Sequence, residues 1–158
     1  MLARDLESFA LAHRGEEFYA VGLDRNSQYG DMLLSANTLL ALRNSASNYA
    51  QSGNESEIAA QEIELRWGFG DWAYHGFNYR ESGGYQEYKA LLPSADCLQH
   101  PDDREMFMET VTRALLSLEK RGVLSLLKRT DFRLICMDDG EGQVEAEERM
   151  KRVGGTDY

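Results

Sequence analysis

Glu17-Phe18-Tyr19-Ala20-Val21-Gly22-Leu23, then Asp24-Arg25-Asn26-Ser27-Gln28, then Tyr29 to Ser35: the reading of this stretch decides the fold. Phe18, Ala20 and Gly22 alternate with Tyr19, Val21 and Leu23, which predicts a strand with both faces at least partly covered. The polar run Asp24 to Gln28 supplies a turn, and the apolar run after it returns as a second strand. Two strands joined by a loop of about five residues make an antiparallel hairpin.

Working outward, Leu2, Leu6, Phe9 and His13 recur at helical spacing and Gly15 follows as a stop, so an amphipathic helix precedes the hairpin. After it, Asn37 and Thr38 offer capping oxygens to a helix carrying Leu39, Leu42, Ala46 and Tyr49 on one face. Gln51 to Ser56 reads as a polar loop, and the glycosylation spelling Asn54-Glu55-Ser56 within it as chance. Ile63, Leu65, Trp67 and Phe69 alternate with Glu64, Arg66 and Gly68, the signature of a third strand. Gly68, Gly70 and Gly76 bracket a single turn, Asp71 to His75, that Asp71 would cap. Tyr85 to Leu92 suits a further short helix.

From Pro101 to Arg121 cap, charge and period agree on a long helix: Pro101 suits the first helical position, Asp102 and Asp103 its positive end, and Gly122 its stop. Phe132 to Met137, apolar on both faces, predicts a central strand. Gln143 to Arg152 is a solvated helix or, with the residues up to 158, a frayed tail. Strand and helix signals are interspersed without regular βαβ spacing. The expected class is therefore α+β, a single domain over 1–158 with an antiparallel or mixed sheet of about four to six strands and helices packed against it.

A chain of 158 residues, 42% hydrophobic and 28% charged, has the size and composition of a globular domain with one core. No repeat or low-complexity segment divides it. Its apolar runs are far shorter than the ~20 residues of a membrane span, and Arg4, Asp5 and Glu7 interrupt any leader, so the expected compartment is the cytoplasm and no membrane partner is expected. In such a compartment Cys97 and Cys136 are expected as reduced thiols, with Cys136 buried in Leu134-Ile135-Cys136-Met137. A net charge of -10 disfavours nucleic acid; it would attract a basic protein partner, and it is equally the charge of many ordinary cytosolic proteins.

Few residues suggest chemistry. His13, His75 and His100 have no metal-site spacing, and no phosphate loop, nucleophile elbow, Cys-x-x-Cys or dinucleotide fingerprint occurs, so neither metal nor cofactor is expected. Asp71 and His75 are the one acid and imidazole pair at i, i+4, a spacing that suits general acid and base work if it lines a pocket and a cap with its neighbour if it does not. Trp67, Trp72, Tyr74, Phe77 and Tyr79 surround that pair with rings that stack a ligand or fill a core. Asp138-Asp139-Gly140-Glu141-Gly142 follows a buried strand, but a calcium loop would need an oxygen ligand at Met137; the run reads as an exposed acidic turn, with Asp138, Asp139 and Glu141 available to a partner.

Three segments, Ser35-Ala36-Asn37-Thr38, the string Glu64-Leu65-Arg66-Trp67 with Gly70-Asp71-Trp72-Ala73-Tyr74, and Leu118-Glu119-Lys120-Arg121-Gly122, resemble an uncharacterised bacterial family catalogued as domain of unknown function four-three-zero-three. The likeness covers nearly the whole chain, and its specific part is the Leu-Arg-Trp and Asp-Trp-Ala-Tyr string; Gly68-Phe69-Gly70 departs from a pattern in which Ser or Pro is commoner. The resemblance implies small cytosolic α+β proteins without a known activity, some thought to be immunity proteins that neutralise a polymorphic toxin. Three functions follow: a protein-binding module, such as an immunity protein facing a basic toxin; a small-molecule binder or hydrolase around Asp71, Trp72, Tyr74 and His75; or a homo-oligomeric structural protein.

Overall fold

The computed structural model describes residues 2–26, 31–81 and 100–155. In chain order the elements are α1 (Leu2–Ala12), β1 (Glu17–Asn26), β2 (Asp31–Thr38), α2 (Leu39–Tyr49), α3 (Glu55–Leu65), α4 (Phe77–Glu81), α5 (Pro101–Lys120), β3 (Lys128–Asp138) and α6 (Gln143–Gly154), with 3-10 turns at Phe69–Asp71 and Val123–Leu126. The sheet is mixed, in the order β2-β1-β3: β1 pairs antiparallel with β2 and parallel with β3. Helices and a sheet thus form an α+β protein, as expected, and the hairpin is present. Asp24, Arg25 and Asn26 belong to β1 rather than to the turn.

Helices cover both faces of β1. A bulge between Phe18 and Ala20 breaks the expected parity, so that Phe18 joins Val21 and Leu23 on one face while Tyr19 and Ala20 share the other. The larger face packs Leu6 and Phe9 of α1, Phe77 of α4, and Met108, Val111 and Leu115 of α5. The smaller packs Leu42 of α2, Phe69, Trp72 and Ala146 of α6. Gly22 is required on that side: a Cβ there would lie 2.3 Å from Cε1 and 2.5 Å from Cζ of Phe69, so the ring occupies the space a side chain would need.

Both edges of the sheet are managed, which suppresses unwanted strand pairing. Beyond β2, the Tyr74 backbone bonds that of Ala36 in both directions, at 3.0 and 3.2 Å, and Asn78 acts as a surrogate strand by accepting from Leu34 N at 2.7 Å and donating to Met32 O at 3.0 Å. Arg149 of α6 donates to the Cys136 carbonyl of β3 at 3.0 Å. Further along β3, residues 130–132 bulge out of register with β1, with Asp131 at φ 41°.

Among the described residues the sheet has three strands, fewer than the four to six expected. The segment read as a third strand is instead the end of α3 and a turn. Asn54 caps α3 by accepting from Glu57 N at 2.9 Å, and helical spacing then turns Ile58 inward while Ile63 points to solvent. The apolar alternation from Ile63 was too short to outweigh that cap. The β3 segment is an edge, not a centre; β1 takes the central place and α6 supplies the cover that made β3 apolar on both faces. Gln143–Gly154 is a packed helix that buries Ala146, Arg149 and Met150. α1 ends at Ala12, earlier than the Gly15 stop suggests, and Gly15 is not left-handed. The helix expected at Tyr85 to Leu92 and Cys97 lie outside the described residues.

Candidate functional site

Asp71 and His75 do not act together. An i, i+4 pair needs helical backbone between its members, but the 3-10 turn ends at Asp71 and Trp72 is extended, at φ -74° and ψ 138°. Each side chain has another partner. The Asp71 carboxylate accepts from the Tyr49 hydroxyl at 2.9 Å, and His75 Nε2 lies 2.6 Å from Asp24 Oδ2 on β1. The cap expected from Asp71 is likewise absent: Gly68 holds the capping position of that turn, with no side-chain bond.

The aromatic residues divide between core and surface. Trp72 is 4% exposed, packs on Phe69 and Tyr19, and donates its indole N–H to Arg66 O at 3.1 Å. Tyr74 packs edge-on against Phe9 and donates to Glu16 Oε2 at 2.5 Å. Burial alone would raise the Glu16 pKa, but the bonds from Tyr74 and His13 bring it below the usual carboxylate range. Trp67 is half-buried.

Around Tyr19 lies a polar node that the sequence did not flag. Its hydroxyl donates to Arg66 O at 2.8 Å and accepts from Asn37 Nδ2 at 3.1 Å, while Asn37 Oδ1 accepts from Thr38 N and Ala73 N. Asn37, one of the residues that carry the family resemblance, thereby ties β2 to the Asp71–Tyr74 segment. Its role at the helix start is indirect; Thr38 Oγ1 makes the cap by accepting from Ala41 N at 3.1 Å.

The acidic turn is only partly available to a partner. Glu141 is held by Arg149, whose Nη1 lies 2.5 Å from Oε1 and whose Nη2 bonds Oε2, and it also accepts from Asp138 N at 2.8 Å. Burial disfavours the Arg149 charge, but Glu141 outweighs burial and raises its pKa further. Asp138 is half-buried, which leaves Asp139 as the exposed carboxylate of the three; it accepts from Asn26 Nδ2 at 3.2 Å.

A more extended acidic surface lies on α3, which carries Glu55, Glu57, Glu62 and Glu64 and no basic residue. Ala59, Ala60 and Ile63 form an exposed strip down its outer face, with Ile63 77% exposed. At 100° per residue Glu64 and Glu57 fall on one flank of that strip and Glu55 and Glu62 on the other. Arg43 of α2 holds Glu55 at 2.6 Å and Glu62 at 3.1 Å, fixing that flank, and Glu57 accepts from Gln51 N and Ser52 N, so Glu64 keeps the freest charge. The signal that could have found this face is Asn54-Glu55-Ser56-Glu57, a capping-box spelling read as a loop.

Among the described residues no group of three or more His, Cys, Asp or Glu side chains is arranged to hold a metal, and no helix is long and apolar enough to cross a membrane. Cys136 is a buried free thiol whose pKa burial pushes up. The family described as Domain of unknown function (DUF4303) matches residues 2–153. No curated protein and no solved structure matches the chain.

Proposed function

We propose that this chain, which belongs to the DUF4303 family, is a protein-binding module whose outer α3 face receives a basic partner. The observation that carries the reading is the exposed Ala59, Ala60 and Ile63 strip between two rows of glutamates, on a helix without a single Lys or Arg. An apolar ridge supplies buried area, and the acidic flanks select a groove with basic rims and repel an acidic one. The net charge of -10 adds long-range attraction for the same partner. Neutralisation of a basic toxin, as an immunity protein, is the form of this function that fits the family resemblance.

The face can be tested by replacing Ile63 with a photo-crosslinking amino acid and mixing the protein with the product of the neighbouring gene. A covalent adduct is expected from position 63 and not from Val144, which is 66% exposed on α6. Adduct from position 144 alone would place the partner elsewhere.

A further inference from the structure

Of the 14 glycines in the chain, Gly140 alone follows an aspartate, and none follows an asparagine. Every other aspartate precedes a residue that carries a side chain. Asp139-Gly140 lies in the turn between β3 and α6, where Glu141 N donates to Asp138 O at 3.1 Å and Gly140 takes φ 77°, the positive value that such a turn requires at its third residue. Asp139 and Gly140 are both exposed. Among the described residues the Gly140 N–H has no hydrogen-bond partner and no cation pairs with Asp139, whose carboxylate is held by Asn26 Nδ2 at 3.2 Å.

A side-chain carboxyl that precedes a glycine is open to attack by the glycine nitrogen, because no β-carbon crowds the approach. A Cβ built on Gly140 would meet nothing within 4 Å, so the space beside this nitrogen is solvent and not packed protein. When the protonated carboxyl is attacked, the Gly140 nitrogen bonds Asp139 Cγ, and the carboxyl hydroxyl leaves as water with the proton of that nitrogen. The product is a five-membered succinimide. Water then reopens the ring at either carbonyl carbon. Opening at Cγ restores aspartate, whereas opening at the former backbone carbonyl leaves the chain running through Cβ and Cγ, which is isoaspartate. One water leaves and one returns, so the composition is unchanged.

We infer that Asp139 is a modification site, at which the chain isomerises spontaneously to isoaspartate. The change lengthens the main chain by one carbon between Asp138 and Glu141. Glu141 holds Asp138 N at 2.8 Å and also holds Arg149, so a longer turn pulls these partners out of reach and loosens α6 from the edge of β3. The site is separate from the α3 face, and either can fail without the other.

The test is to keep the full chain for several weeks in mildly acidic buffer at physiological temperature, then to treat it with a purified isoaspartyl methyltransferase and labelled S-adenosylmethionine. Label should rise with time and lie in the tryptic peptide 134–149, and electron-transfer fragmentation should place isoaspartate at position 139 and not 138. Asp139→Glu, at an exposed position, disfavours ring closure by one extra methylene and should lose the label with its circular dichroism spectrum unchanged. The incubated wild type, but not Asp139→Glu, should also develop a second urea transition at lower denaturant. Label no higher than in fresh protein, label outside that peptide, or label that persists in Asp139→Glu would overturn the site. A single urea transition in a labelled chain would overturn its effect on α6.

Discussion

Arg149→Ala removes the guanidinium that joins α6, β3 and the acidic turn. Arg149 and Glu141 have side chains only 4% and 13% exposed, and Arg149 also satisfies the Cys136 carbonyl at the sheet edge. Truncating one member of a buried pair leaves an uncompensated charge and costs about 3–5 kcal/mol, far more than loss of an exposed pair, at about 0–1 kcal/mol. The Cys136 carbonyl loses its donor in the same step. For a chain of 158 residues, 1 kcal/mol moves Tm by about 2–4 °C, so the variant should melt roughly 6–20 °C lower. Urea unfolding followed by far-ultraviolet circular dichroism gives the free-energy difference directly. Glu141→Gln, which keeps an acceptor but loses the charge, should cost less. An Arg149→Ala variant within about 1 kcal/mol of the wild type would refute the claim that this pair is buried and closes the β3 edge.

Other perturbations test the core and its polar node. Gly22→Ala drives a methyl into the Phe69 ring and should cost about 1–3 kcal/mol, as overpacking does; unchanged stability in urea would mean that the ring does not lie over Gly22. Burial pushes the Tyr19 pKa from 10.0 up to about 12, against the opposing Asn37 bond and Arg66 charge. With the folded value raised, its contribution is fully present below pH 10 and is lost as pH climbs to about 12, a change of about 3 kcal/mol. In Tyr19→Phe the stability should fall less steeply across that window; an identical slope would contradict the buried hydroxyl. Asp71→Ala removes one exposed bond to Tyr49 and should alter stability by no more than about 0.5 kcal/mol; a loss near 2 kcal/mol would restore a capping role.

The hairpin was legible from its alternation and polar turn, the helix after Thr38 from period and cap, and the long helix from Pro101 because period, terminal residues and charge all agreed. What misled was local agreement over too few residues. Ile63 to Phe69 alternates like a strand, yet Asn54 had already committed the chain to a helix about two and a half turns upstream. The same Asn was dismissed as a chance sequon, and with it went the acidic face of α3. Phe132 to Met137 is apolar on both sides because α6 wraps the sheet edge, a tertiary effect that periodicity alone cannot separate from a central position. Asp71 and His75 were paired by spacing, and the extended backbone at Trp72 dissolved the pair.

Stopped-flow association of the chain with its neighbouring gene product, at about 0.1 M and about 1 M salt, tests the central claim of a basic partner docked on α3 most directly. The Debye length falls from about 10 Å to about 3 Å between those conditions, so the association rate should drop steeply with salt. It should also drop at low salt in an Ile63→Arg, Glu64→Lys double variant, whose two exposed positions leave the core untouched. A complex whose association is indifferent to both salt and the double substitution, or no complex at all, would contradict the account.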